Sequence, residues 1–269
     1  MGIYRYPGGK SRLLEPIKEL LYPIIEKTSS FADVYVGGGS VLIQVAKDFP
    51  NIKLHANDLD PTIYAFWKML ENSDQKELDE FYELIDISPT VDMFYGMRAN
   101  GIPKDLVGRA FYGVFFNRCA FSGIQQAGAI GGVKQKSKWT VDCRYNAKRI
   151  IKETEELRLL FKDRLTVSNM DCIKFLSKYP NISTYADPPY FAKGHELYPT
   201  FMTPRQHEEL AMVLKGRNNW VLSIDICDEI DGMYKWAKKF PLDARYSIRD
   251  KKVKWTPKQE YLIIPNEKK

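Results

Sequence analysis

The chain has 269 residues, with 40 Lys and Arg against 34 Asp and Glu for a formal charge of +6, and 44% of its side chains are hydrophobic. That is enough apolar material to bury a proper interior, in one large domain or in a core with a sizeable insertion, and it excludes a disordered tail or a disulfide-stapled miniprotein. The mild basic excess permits a polyanionic partner without requiring one.

Near the start, Pro7-Gly8-Gly9-Lys10-Ser11 ends like a phosphate-binding loop, but the place of that motif's first glycine is held by Tyr4. A lysine reaching the carboxylate or phosphate of some other ligand is the preferred reading. The β-branched and aromatic run Phe31 to Val36 predicts a strand that leads straight into Gly37, Gly38, Gly39 and Ser40 and then into an apolar helix, Val41 to Phe49. Glycines on a strand-to-helix turn let the backbone approach a ligand closely. Ile52 to Ala56 predicts the next strand, and Asp58 follows about 20 residues after the turn, the spacing at which a carboxylate accepts from both hydroxyls of a ribose. The competing reading has Asp58 capping the next helix. Leu42 stands where a dinucleotide fingerprint needs its third glycine, so a ligand without phosphates fits better.

Between residues 61 and 164 the strand signal fades. Thr62 to Leu70, Glu77 to Ile85, Leu106 to Phe116 and Lys148 to Phe161 carry apolar residues at helical spacing, which predicts a mainly helical insertion. Within it, Ser122 to Trp139 sets Gly123, Gly128, Gly131 and Gly132 beside Lys134, Lys136 and Lys138, a loop or hairpin suited to an anion. Strands resume at Leu165 to Ser168, Ser183 to Ala186 and Trp220 to Ile226, so the core is α/β with a mostly parallel sheet. Ala244 to Arg249 and Gln259 to Ile264 predict a terminal antiparallel hairpin with a basic tip that carries Trp255.

The sharpest signal is Asp187-Pro188-Pro189-Tyr190, directly after an apolar strand. Two prolines fix φ and supply no N–H, so the turn is stiff and its carbonyl oxygens stay open as acceptors. An exocyclic amine on a ring is a poor nucleophile because its lone pair is conjugated. If Asp187 and the carbonyl of Pro188 accept its two hydrogens, the nitrogen moves toward a tetrahedral shape and the growing positive charge is stabilised. Tyr190 is expected to lay its ring against a planar base. Cys119, Cys143, Cys172 and Cys227 form no C-x-x-C pair, and His55, His195 and His207 share no ligand spacing, so reduced thiols and no metal are expected. No signal peptide or membrane-spanning run is apparent, and a cytoplasmic protein is expected.

Taken in order, Tyr6-Pro7-Gly8-Gly9-Lys10, Asp33 to Ser40, Asn57-Asp58, Phe115-Phe116-Asn117-Arg118, Asn169-Met170-Asp171 and Asp187-Pro188-Pro189-Tyr190 resemble the D12 class, or Dam-like, DNA adenine-N6 methyltransferases, over most of the chain. The resemblance implies S-adenosyl-L-methionine as cofactor, double-stranded DNA as substrate, and a monomer, with a cognate restriction endonuclease as a further partner. It implies a Rossmann-like methyltransferase core, residues 1–60 and 165–269, closed by the C-terminal antiparallel hairpin, with an inserted target-recognition domain at 61–164. By the same resemblance Tyr6, Lys10 and Asp33 face the methionyl end of the cofactor, Gly37, Gly38 and Gly39 lie beneath it, Asp58 holds the ribose and Asp171 the adenine. Asp187, Pro188 and Tyr190 hold a target base flipped from the duplex. Asn117, Arg118, Gln125, Gln126, Lys134 and Lys136 are expected on DNA. Two departures stand out: Asp33-Val34-Tyr35 replaces the family's usual Glu-Pro-Phe, and Ser122 to Gly128 lacks the arginine that relatives acting on GATC carry, so a GATC target does not carry over. A methyltransferase acting on RNA or protein, and a non-catalytic DNA-binding protein of the same fold, are the alternatives.

Overall fold

A computed structural model describes residues 3–4, 9–191, 201–244 and 258–266. Its centre is a seven-stranded sheet built from β1 (Ser30–Asp33), β2 (Lys53–Asn57), β3 (Leu165–Ser168), β4 (Ser183–Ala186), β5 (Trp220–Asp225), β6 (Lys238–Ala244) and β7 (Lys258–Ile264). The spatial order is β3-β2-β1-β4-β5-β7-β6. The first five strands run parallel, and β7 lies antiparallel between β5 and β6. Strand order reverses between β1 and β4, which opens a crevice beyond their carboxyl ends, the place where open α/β sheets bind ligands.

Successive strand residues point to opposite faces, and the two cores follow that alternation. Phe31, Leu54, Val221 and Leu262 face one apolar cluster, while Ala32, Leu222 and Ile263 face the other. The first cluster is covered by α1 (Leu14–Ile25), α2 (Ser40–Asp48), α3 (Pro61–Asn72), α4 (Gln75–Ile85), α5 (Val91–Asn100), α6 (Leu106–Cys119) and α7 (Ala147–Phe161). The second is covered by α8 (Cys172–Lys178), α9 (Pro204–Lys215) and α10 (Asp228–Met233). Helices α3 to α7 fill the chain between β2 and β3, and their buried residues, Phe66, Phe81, Phe94 and Phe115 among them, continue the same cluster that lines the sheet.

Several expected boundaries move. The first strand ends at Asp33 rather than Val36, because residues 34 to 36 already bend toward Gly37, whose φ is +44°. The helix α5 has no counterpart among the expected segments, since Phe94 is its sole buried residue and its periodicity is weak. The strand that pairs with β7 is Lys238–Ala244, ahead of the expected Ala244 to Arg249, of which residues 245–249 lie outside the described residues. Pro241 hides that strand from a propensity reading, yet β6 is the last strand of the sheet, where a missing N–H is tolerated.

The glycine turn is wedged open by an aromatic ring. Gly39 has φ +67° and caps α2 with no side-chain bond. The Trp67 indole of α3 covers it, donating Nε1–H to the Gly37 carbonyl at 3.0 Å. A Cβ on Gly39 would lie 2.2 Å from that ring. Gly39→Ala is therefore expected to destabilise the fold by about 2–5 kcal/mol, from overpacking of ~1–3 kcal/mol and a left-handed backbone cost of about 1–2 kcal/mol. Thermal denaturation checks this, and an unchanged midpoint would show that the ring can move aside.

Candidate active site

The parallel strands deliver three carboxylates to one crevice. Asp33 ends β1, Asp58 directly follows β2, and Asp187 directly follows β4. The capping reading of Asp58 falls to its neighbour: Asp60 caps α3, accepting from Thr62 N at 2.7 Å and Ile63 N at 3.4 Å. Asp58 instead turns back to the glycine turn, with Oδ2 accepting from Gly37 N and Oδ1 from Asp60 N, each at 2.9 Å. Burial, with the charge of Asp60 adding to it, pushes the Asp58 carboxyl up to about 7 against those stabilising N–H bonds.

Asn57, the last residue of β2, uses its whole amide. It donates to the Val34 and Met170 carbonyls at 3.1 and 3.0 Å, and accepts from Ser168 Oγ and Met170 N at 2.7 and 3.1 Å. The ends of β1, β2 and β3 are thereby locked together. Asp171 caps α8 through Ile173 N and Lys174 N. Asp58 and Asp171 line one cavity whose walls are Leu59, Met170, Ile173 and Phe201, and which Pro189 of the Asp-Pro-Pro-Tyr turn also borders. Two acceptors set in an apolar cleft suit a nucleoside.

Asp33 is 3% exposed and its Oδ1 has no hydrogen-bond partner among the described residues. Burial, then the charge of Asp187, raises its carboxyl well above the ordinary range, while the Tyr35 and Leu42 backbone N–H groups pull the other way. A buried oxygen without a donor, beside the glycine turn, fits a cationic ligand group such as an ammonium.

Around Asp187 the charged and aromatic side chains are paired with one another. Lys10, expected on the cofactor, is 4% exposed and places Nζ 2.8 Å from Asp187 Oδ1 and 3.6 Å from Glu260 Oε2. A buried ammonium needs counter-charge, and these carboxylates supply it. Tyr190, expected to present its ring to a base, is buried, with its hydroxyl donating to Glu260 Oε1 and its ring beneath the Lys10 ammonium at 5.6 Å. Pro188 is buried beside them. Glu260 is the site residue that sequence reasoning missed, because nothing local marks a single acid on a distant strand. Tyr6 lies outside the described residues.

The residues expected on DNA divide. Asn117 is buried on α6 with Nδ2 toward the Gly123 carbonyl at 3.4 Å, and Arg118 is largely enclosed, 4.0 Å from Glu153 Oε2. Both are packed against the protein in this structure, because α6 is apolar nearly all round and its polar end is enclosed. Gln125 is half-buried, with Nε2 near Thr62 Oγ1 at 3.3 Å, whereas Gln126, Lys134 and Lys136 are exposed, as are Phe121, Val133 and Trp139. Arg98 holds this loop from below, donating to the Gln125 and Ala127 carbonyls at 2.6 and 2.8 Å while stacking over Phe94 and Phe116. Among the described residues no cluster of His, Cys, Asp or Glu could hold a metal, and no helix is long and apolar enough to cross a membrane.

Compared with protein-family models, residues 6–250 match the D12 class N6 adenine-specific DNA methyltransferase. The chain belongs to this family. It is an adenine-N6 DNA methyltransferase with S-adenosyl-L-methionine as methyl donor. No curated protein matches the chain closely enough to count as a relative.

In this methyltransferase, burial and the charge of Glu260 push the Asp187 carboxyl up, Lys10 pulls it down, and it comes to rest at about 6. A protonated Asp187 loses acceptor capacity on one oxygen. Since kcat/KM reports groups of the free enzyme, kcat/KM for DNA is expected to fall as pH drops through about 6. A profile flat down to pH 5 would remove Asp187 from that role.

Proposed function

We propose that the methyltransferase acts on an adenine swung out of a DNA duplex, and that Asp187 with the Pro188 carbonyl accepts the two hydrogens of its N6 amine. The observation that carries this reading is the position of Lys10. Its ammonium is a cationic N–H donor lying against Asp187 and above the Tyr190 ring. An N6 amine acquiring positive charge asks for the same surroundings, an acceptor at hydrogen-bond distance and an aromatic face beneath.

The cofactor, when bound, supplies an electrophilic methyl on a sulfonium. Asp33 would take its ammonium, Asp58 its ribose and Asp171 its adenine amine, with the Gly37 to Gly39 backbone beneath. Asp187 would orient N6 so that its freed lone pair faces that methyl, and the proton that N6 sheds would leave by way of the Asp187 carboxylate. Holding both reactants in one geometry contributes much of the rate. Extruding the base costs a few kcal/mol, and the exposed lysines and aromatics of residues 121–139 offer binding energy to offset it. We assign target recognition to the layer between residues 61 and 164, with Gln126 nearest to a base-reading role. We further propose a monomeric enzyme in a reducing cytoplasm, which the four free cysteines suit.

Asp187→Ala is expected to abolish transfer of labelled methyl to duplex adenine while cofactor affinity, read by calorimetry, stays within a few-fold; retained turnover would discard the mechanism. Replacing both Lys134 and Lys136 with Gln is expected to make the slope of log affinity against log salt shallower by up to about 1.8, about 0.9 per phosphate contact. An unchanged slope would take the loop off the DNA.

A further inference from the structure

We infer that Glu260 is a positioning residue for methyl transfer: it receives the Lys10 ammonium when the target amine takes Lys10's place at Asp187, and it holds Tyr190 through that exchange. The inference rests on the roles proposed above for Asp187 and Tyr190.

Glu260 sits where β7 should carry an apolar residue. It shares a face with Leu262, two positions on, and that face looks into the cluster holding Tyr185 and Val221. At 1% exposure a carboxylate there is costly unless its oxygens are used. They are divided between two partners, Oε1 taking the Tyr190 hydroxyl and Oε2 facing Lys10 Nζ. Register explains the placement. Glu260 stands opposite Asp225 of β5, and Asp225 Oδ1 accepts the Phe191 N–H at 2.8 Å. Neighbouring carboxylates on paired strands thus clasp the two residues that follow the double proline.

A target amine that takes the position Lys10 Nζ holds, 2.8 Å from Asp187 Oδ1, displaces that ammonium. Nor can it lose its proton easily. Burial favours the neutral amine, but the charge of Asp187, then Tyr190 and Glu260, holds the ammonium well above its ordinary value. An ammonium displaced from Asp187 with no second carboxylate would be a buried unpaired charge. Glu260 lies 3.6 Å away and is already aligned to accept it, so a short side-chain rotation completes the exchange.

The test uses the full chain. Wild-type enzyme is first shown to move labelled methyl to N6 of duplex adenine; failure there overturns the proposed function itself and is distinct from failure of this inference. Glu260→Gln keeps an acceptor for Tyr190 but removes the charge. It is expected to lower kcat at least tenfold, with cofactor affinity and melting temperature nearly unchanged. Among the described residues, the groups facing Asp187 are Lys10 from the N-terminal segment, Asp33 from β1, Tyr185 from β4 and Glu260 from β7, with Tyr190 of the turn against Lys10. Of these Glu260 and Asp33 are the acids, so losing Glu260 is expected to move the acid limb of kcat/KM to lower pH. The double variant Lys10→Met, Glu260→Gln leaves no ammonium on Asp187 and is expected to recover part of the lost kcat. Wild-type kcat in Glu260→Gln, an unmoved acid limb, or a double variant no more active than the single overturns the inference.

Discussion

The structure turns on a concentration of negative charge in a place poor in water. Parallel strands that reverse their order between β1 and β4 bring Asp33, Asp58 and Asp187 to the same crevice, and burial raises all three carboxyls above their ordinary values. Each is paid for differently. Asp58 takes backbone N–H groups from the glycine turn and from Asp60, Asp187 takes a buried lysine, and Asp33 keeps an oxygen without a donor among the described residues. A crevice in that condition favours a ligand that brings positive charge and N–H donors, which a sulfonium with an ammonium and an adenine with an exocyclic amine both do. Electrostatics and topology therefore point to the same chemistry.

Much of this was legible because strand period and turn chemistry are local. β3 and β4 fall on the expected residues, Leu165–Ser168 and Ser183–Ala186, since each is a short β-branched or aromatic run with clear ends. The Asp-Pro-Pro-Tyr turn was legible because proline dictates backbone geometry wherever it stands. Asp58 was ambiguous on spacing alone. The ambiguity ended with a hydrogen bond, because the cap of α3 belongs to Asp60, two residues on.

What was illegible depends on contacts distant in sequence. Glu260 matters only through the register of an antiparallel strand against β5 and through side chains 70 and 250 positions away. Asn117 and Arg118 were expected on DNA from the resemblance and the glycine-rich basic loop beside them, and that α6 encloses both side chains follows only from its packing on nearly every side. The strand β6 was obscured by Pro241, harmless at the sheet's edge and disqualifying anywhere else.

One side chain joins the two halves of the problem. Trp67 belongs to α3, the first helix of the segment between β2 and β3, and its ring packs edge-on against Phe161 of α7 at 5.5 Å. The same ring roofs Gly39, and its indole N–H holds the Gly37 carbonyl. A glycine turn left open by φ above zero on both Gly37 and Gly39 would be entropically loose; with a fully buried tryptophan pressed on it, the turn is held in one shape. The helical layer is therefore no appendage to the sheet, since its first helix forms part of the wall against which the glycine turn is set. The segment around Lys134, Lys136 and Trp139 stays exposed, and Arg98 pins its base to α5 and α6.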